Sequence, residues 1–491
     1  MTLSRGAQRA MIAAFFLVLA VVYALAWFLP AIGLEHDDAT YLITARAIVT
    51  GHGYTIGSLP NPIPQTKFPP LFPVLLAVLT LVSQQAQWLK LLPLAGTAGW
   101  LVLTHKLLLK MGASKNAALL LVGLTAASPT VVFLSTNLLP QSFFALLATA
   151  ALLALLEKRT LLAGVLAGLA TLTQSAGVPL IVACILTLVV RRRFRGALTL
   201  AAVAMLIAAP WFGWSLAHVT HDGNHTTDAT SNILTGLAAN EKLVVLGRNL
   251  LFLFASPIAL LTGLTNVLSI IGTVAILFWC FYVRRQLVPD LFVALYCLAL
   301  LCWISPPERS VAPILPLVLW IVWRVFRLIE LREALAAVVL IVAAIALWAD
   351  ATRIFAARAT GEFAVEGTSA DNWSEMRKLF GFVRANTPRD SILVANLDGA
   401  FFLYTGRRTI RGFASNGFDL FYAPRQSAAT PDQLSNAIVR ERAGYLLLTP
   451  DRGLAESASF HKSVEALERG GVIEPVSVPG AARDYRLFRV H

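Results

Sequence analysis

Charge is what this 491-residue chain lacks most: Asp, Glu, Lys and Arg together make up 14% of it. A water-soluble domain carries roughly a quarter, so an ordinary soluble protein is excluded. Cysteine is scarce as well. Cys184, Cys280, Cys297 and Cys302 all lie inside apolar runs and lack metal-site spacing, which speaks against a disulfide framework and leaves them as small core residues. The polar C-terminal stretch has no P-loop, no dinucleotide-binding glycine fingerprint and no Ser/His/Asp triad signature. What is abundant is apolar surface: 57% of the residues are hydrophobic, and the mean hydropathy is +0.70. This is the composition of an integral membrane protein.

The net charge of +13 does not imply a nucleic-acid partner, because the basic residues form no single patch. They sit in short clusters between apolar runs, which sets topology rather than a polyanion site. The first run, Met11 to Leu34, follows Arg5 and Arg9 and contains a cleavage-like Ala24-Leu25-Ala26. It is too long for a signal core and continues past that site, so it reads as an uncleaved anchor.

Lys/Arg-rich short loops stay in the cytoplasm, and a spanning helix needs about 20 apolar residues. Placing every basic cluster inside requires about eleven spans, near 11–33, 89–109, 117–134, 141–157, 160–174, 176–190, 197–214, 262–283, 289–304, 311–327 and 333–350. The N-terminus is then cytoplasmic. This holds only if Phe68 to Ser83, apolar but short and proline-punctuated, does not cross. Residues 34–88 and 215–261 become two long loops on the outer face, with Leu250 to Leu261 as an interfacial helix in the second. The fold expected is a polytopic α-helical membrane domain over residues 1–350, followed at 355–491 by a soluble α/β domain on the outer face. In that domain Trp373, Met376, Phe380 and Val383 recur at helical spacing, while 391–396, 445–449 and 481–490 read as strands.

The outer loops hold the chemistry. Asp37 and Asp38 stand where the first span ends, and a carboxylate there must be solvated, capped or used. Asp37 suits the N-cap of a helix running to Thr50, with Gly51 ending it. A catalytic role is compatible with that, since a helix start also holds a carboxylate rigidly. Tyr41 stands one turn further on the same face. Thr66-Lys67-Phe68-Pro69-Pro70-Leu71 sets a cation before a stiff di-proline, suited either to an anionic headgroup or to a snorkelling lysine.

These segments carry a resemblance. Asp37-Asp38-Ala39-Thr40-Tyr41 resembles the Asp-Glu-x-x-Tyr motif of the GT-C glycosyltransferases, in the branch of the protein O-mannosyltransferases and the lipid A aminoarabinose transferase. Lys67 to Leu71 is similar to that branch's Lys-x-Pro-Pro-Leu segment, and Arg309 to Pro316 to its Arg-Tyr-x-x-Pro-x-x-Pro stretch. Asp390 to Arg407 resembles the start of its C-terminal outer domain. Two family features are missing. An acidic residue after the third span is replaced in Asn137-Leu138-Leu139-Pro140-Gln141-Ser142, and a basic one after the fifth by Gln174.

The resemblance implies a mannosyltransferase-like enzyme of the cytoplasmic membrane, using a sugar linked through phosphate to a polyprenol. The acceptor would be a lipid, a glycan or a protein. Asp37 would act as general base, Asp38 would orient the acceptor or support Asp37, Tyr41 would line the substrate site, and Lys67 and Arg309 would hold the phosphate. Some relatives use a divalent metal. His218, His221 and His225 with Asp222 and Asp228, joined by Glu35, His36 or Asp38, could hold one, although the spacing is not a recognised zinc pattern. The competing reading is a non-enzymatic transporter or lipid flippase, which should show mid-membrane charge or repeat symmetry. Here the polar residues gather in two loops on one face instead.

Overall fold

A computed structural model describes residues 5–219, 221–222, 225–226, 237–262, 287–304, 308–328, 332–361, 363, 372–413, 430–450 and 455–491. Helix α1 (Arg5–Trp27) leads into a short turn and helix α2 (Asp37–Val49), and a two-stranded hairpin (Thr55–Ile56 with Ile63–Pro64) precedes helix α3 (Leu71–Val82). A succession of apolar helices follows: Leu91–Lys110, Lys115–Ala126, Pro129–Thr136, Gln141–Leu156, Thr160–Thr173, Val178–Val190, Phe194–Ala217, Ala239–Thr262, Leu287–Leu301, Leu315–Leu328 and Arg332–Thr360. The chain is a multi-pass helical membrane protein.

Nearly every expected span coincides with a helix, but their lengths differ from expectation. Among the described residues only Ala10–Trp27, Ala86–Lys110 and Phe194–Ala217 are long and apolar enough to cross alone. The expected span 117–134 is two helices bent by 65°. Pro129 is the cause, because it lacks an N–H and opens a new helix behind Ser128. The 311–327 span is likewise split: a turn at Glu308–Val311 and a 3-10 stretch at Ala312–Ile314, over Pro313, precede the helix at Leu315. The last bundle helix runs to Thr360 rather than ending at 350, and the helix of the second loop begins at Ala239 rather than Leu250. The expected 262–283 span lies outside the described residues. Helix α3 has 12 residues, so it extends about 18 Å against a hydrocarbon core of about 30 Å. Alone it is shorter than a full crossing, as are several of the bundle helices.

Small residues let the bundle close. A Cβ on Gly168 would lie 2.9 Å from the Ile207 Cβ, and one on Gly164 3.1 Å from the Leu200 carbonyl. The Thr160–Thr173 and Phe194–Ala217 helices therefore touch backbone to backbone, the small-xxx-small packing of membrane helices.

The C-terminal third holds a five-stranded sheet in the order Arg408–Ile410, Ile392–Ala395, Tyr445–Leu448, Arg486–Val490, Ile473–Val476. The first three strands are parallel and the last two antiparallel. Alternation sends Val394, Leu446 and Leu448 to one face, beneath Leu434 and Phe460, and Leu393, Ala395 and Leu447 to the other, beneath Met376 and Phe401. This unit does not bury its core alone. Ile56 and Leu59 complete one face, and Ala31 and Leu34 the other. The Thr409 N–H also bonds the Ser58 carbonyl at 2.9 Å, which adds the first loop to the open edge of the sheet.

Candidate active site at the start of helix α2

Glu35, Asp37, Asp38 and Lys67 of the first loop gather around the turn before α2. His36 has φ 56° and ψ −53°, and the Asp37 N–H bonds the Glu35 carbonyl two residues back at 2.6 Å. That is the positive-φ γ-turn, rare and strained for a residue with a side chain. It sets the two neighbouring carboxylates in opposite directions.

Asp38 faces inward and is 1% exposed. Its carboxylate accepts the N–H groups of Gly33 (2.5 Å), Glu35 (3.1 Å) and Ala39 (2.8 Å). Asp37 opens the helix instead of capping it: His36 is the N-cap residue and makes no side-chain cap bond. Burial pushes the Asp38 carboxyl up to about 6; the three N–H groups oppose that shift and Glu35 adds to it. A raised carboxyl pKa means that the ionised form costs native stability, fully above about 6 and not at all once pH falls below the unfolded value. Asp38 lies beneath the site and shapes it. Asp38→Asn replaces one accepting oxygen by a donor facing the Gly33 N–H. It should lower the melting temperature, with a loss of about 1–3 kcal/mol, while turnover per folded molecule changes far less than on substitution of Asp37.

Asp37 faces outward, 31% exposed, and one of its oxygens lies 3.3 Å from an Arg309 amino group. The other amino group of Arg309 is 3.7 Å from the Glu35 carboxylate. Arg309 therefore pairs across the molecule with the turn before α2. Lys67 stands close by. Its ammonium is 5.3 Å from the Phe68 ring centre, and among the described residues no carboxylate comes within ion-pair distance of it. Burial pushes the Lys67 ammonium below the usual lysine range; Asp37 opposes that, while Arg411 and Arg309 add to it. The result is a pocket edge where Lys67, Arg309 and Arg411 gather around the half-buried carboxylates of Glu35 and Asp37, set for an anion.

Lys67 is held by the neighbouring elements. The Gln65 side-chain oxygen accepts the N–H groups of Lys67 (3.0 Å) and Phe68 (3.3 Å). From the end of the Phe194–Ala217 helix, the Trp214 indole donates to the Gln65 carbonyl (3.1 Å) and the Ser215 hydroxyl to that of Thr66 (2.9 Å). Tyr41, expected to line the substrate site, is 3% exposed and packs its ring 4.6 Å from Phe68 and 5.3 Å from Phe72. It braces the Lys67 loop from below.

The C-terminal unit supplies residues that the sequence did not reveal. Arg411 donates to the His36 Nδ1 at 2.9 Å and to the Asp398 carboxylate at 3.2 Å, which leaves the His36 proton on Nε2. Asp398 lies inside the segment that carried the family resemblance; Arg411 stood in no pattern at all. A guanidinium on Nδ1 also removes that atom from metal binding. Among the described residues no group of three His, Cys, Asp or Glu gathers as a metal site would require. His218 stacks on Trp214 at 3.8 Å, and the backbones of His221 and His225 form a hairpin, while the side chains of those two lie outside the described residues.

A family model described as Glycosyltransferase family 87 matches residues 67–306. Over those residues the chain is similar to the family 87 glycosyltransferases. ArnT from Cupriavidus metallidurans bound to undecaprenyl phosphate superposes with a TM-score of 0.56 at 12% identity, over 98% of each chain. The apo form of that protein gives 0.53 at 12% identity, again over 98% of both. No curated protein sequence matches. An enzyme is thus favoured over a transporter or flippase.

A buried amide stands where the resemblance implies an acidic residue. Asn137 is 2% exposed and donates to the carbonyls of Phe133 and Phe363, so it bridges the bundle to the start of the C-terminal unit. The docking of that unit on α2 is tight: a Cβ on Gly399 would lie 2.7 Å from the Ala39 Cβ. Gly399→Ala should shift the Asp398–Thr405 helix, cost about 1–3 kcal/mol of stability and lower turnover. A thermal melt with an activity assay checks both.

Proposed function

We propose that this enzyme moves a sugar from a polyprenyl-phosphate donor to an acceptor hydroxyl at the outer face of the cytoplasmic membrane. The acceptor is a lipid, a glycan or a protein. The observation that carries this reading is the placing of Asp37 against Arg309 with Lys67 beside them, at the mouth of a membrane bundle. Such an arrangement serves a substrate whose tail stays in lipid and whose phosphate reaches the surface. Undecaprenyl phosphate in the similarly folded ArnT supports the donor class.

The reaction is a direct displacement with inversion. Asp37 takes the proton of the acceptor hydroxyl as its oxygen forms a bond to the anomeric carbon. The bond from that carbon to the phosphate oxygen breaks, and its electron pair leaves with the polyprenyl phosphate. Lys67 and Arg309 stabilise the charge that grows on that oxygen. Without donor, Arg309 rests on Asp37. When the phosphodiester arrives, the guanidinium turns to its oxygens, where negative charge grows as the sugar leaves, and frees the base. Tyr41 and Asp38 hold the two loops in register, and Arg411 fixes the strained turn through His36.

Two experiments test this. Purified enzyme in liposomes with a polyprenyl-phosphate-linked sugar and envelope extract should release polyprenyl phosphate and pass the label to one class of acceptor; no release from any such donor refutes the donor class. The topology needs residues 34–88 wholly outside. Single cysteines at Gln85 and Ser114, both exposed, should label from opposite sides, with Gln85 outside. A cytoplasmic Gln85 overturns it.

A further inference from the structure

A second cleft, of about 320 Å³, lies on the other side of α2. Its walls include Pro30, Ile32, Arg46, Gln84, Gln85 and Tyr404. Arg46 is nine positions beyond Asp37, which puts it on the opposite face of the helix and about 13 Å further along. The cleft is thus separate from the pocket edge built by Asp37, Lys67 and Arg309. Its volume falls in the range of small-molecule sites, about 300–1,000 Å³.

Among the described residues Arg46 is the only charged one lining it. Its Nε donates to the Gln84 side-chain oxygen at 3.0 Å, and Gln84 is itself held by the Thr80 carbonyl at 2.9 Å. Among the described residues its two terminal amino groups have no hydrogen bond and no carboxylate partner. Burial pushes the guanidinium below its usual range, with Tyr404 opposing. A half-buried arginine with a free fork asks for an anion.

The surroundings fix the level at which that anion must lie. Phe28, Leu81 and Val82 are 62%, 70% and 69% exposed, an apolar strip suited to hydrocarbon. Gln84, Gln85 and Gln87 border it on the polar side. Between them, the Trp27 indole donates to the Gln87 carbonyl (2.9 Å) and the Trp88 indole to that of Leu79 (3.1 Å), in the manner of interfacial tryptophans. The cleft therefore opens at headgroup depth.

We propose that this cleft binds the phosphate head of an anionic glycerophospholipid, with an acyl chain along Phe28, Leu81 and Val82. The lipid ties α2 to the Asp398–Thr405 helix, whose Leu403 and Tyr404 complete the wall. This site is independent of the transferase reading and of the donor.

Native mass spectrometry of the full chain tests it, with dioleoyl-phosphatidylglycerol, dioleoyl-phosphatidylcholine or inorganic phosphate added. One phosphatidylglycerol should be retained in preference to phosphatidylcholine. Its occupancy should fall about tenfold or more in Arg46→Gln, the loss expected for a charge-assisted contact, fall less in Arg46→Lys, and stay unchanged in Arg309→Gln. Loss in Arg309→Gln with retention in Arg46→Gln would put the lipid in the donor site. Equal retention of both lipids would make it bulk annular lipid, and displacement by equimolar inorganic phosphate would make this a free-anion site. Each of these overturns the proposal. Should Arg46→Gln fail to fold, Gln85→p-benzoylphenylalanine in the otherwise native chain replaces it. Photolysis should capture phosphatidylglycerol, and its absence from the adducts overturns the proposal.

Discussion

Asp37→Asn should abolish sugar transfer, lowering turnover by about 10²–10⁴-fold, the range for a positioned general base, while the protein inserts and accumulates normally. Asparagine matches aspartate in shape and Asp37 makes no cap bond that it would lose, so the strained turn at His36 has no reason to change. Donor binding should be kept or strengthened, because Arg309 loses its resting partner at 3.3 Å. A loss in turnover without a loss of donor affinity separates a base from a packing residue. Normal transfer by this variant would remove the general-base assignment.

Arg309→Lys should weaken transfer by about tenfold although the charge is kept, and Arg309→Ala by about 10²–10³-fold, the range for losing one preorganised donor to a developing oxyanion. The planar fork can face Asp37 and Glu35 together, at 3.3 and 3.7 Å, and can meet two phosphate oxygens side by side; an ammonium cannot. Part of the loss should lie in turnover, since negative charge on the phosphate oxygen grows as the sugar leaves. Steady-state kinetics in proteoliposomes separate the two contributions. A lysine variant with unchanged donor affinity and turnover would make Arg309 an ordinary interfacial arginine and leave Lys67 as the phosphate ligand.

Much of this was legible in the residues. The apolar runs gave the bundle because a lipid-facing helix must be apolar all round, and Ile392–Ala395 and Tyr445–Leu448 announced themselves as strands by unbroken apolar runs between polar flanks. The Asp37, Lys67 and Arg309 set was readable from motif order. What could not be read was the direction of each side chain at the turn. Two adjacent aspartates look alike in sequence, and only the positive φ at His36 decides that Asp38 turns in and Asp37 out. Arg411 was invisible for another reason: it reaches the site through the docking of the sheet unit on the first loop, a contact across 375 positions. Long-range pairing of that kind leaves no local period. The same holds for Ile56 and Leu59, which look like ordinary loop residues and serve as core for a sheet made hundreds of positions later.

The central claim is sugar transfer at the membrane surface through Asp37. The most direct measurement is mass spectrometry of envelope lipids and glycoproteins from cells carrying the wild-type protein, no protein, or Asp37→Asn at equal abundance. The account predicts a lipid, glycan or protein species heavier by one sugar in the wild type and absent from the other two. Identical profiles in all three, or the sugar-bearing species persisting with Asp37→Asn, would contradict it.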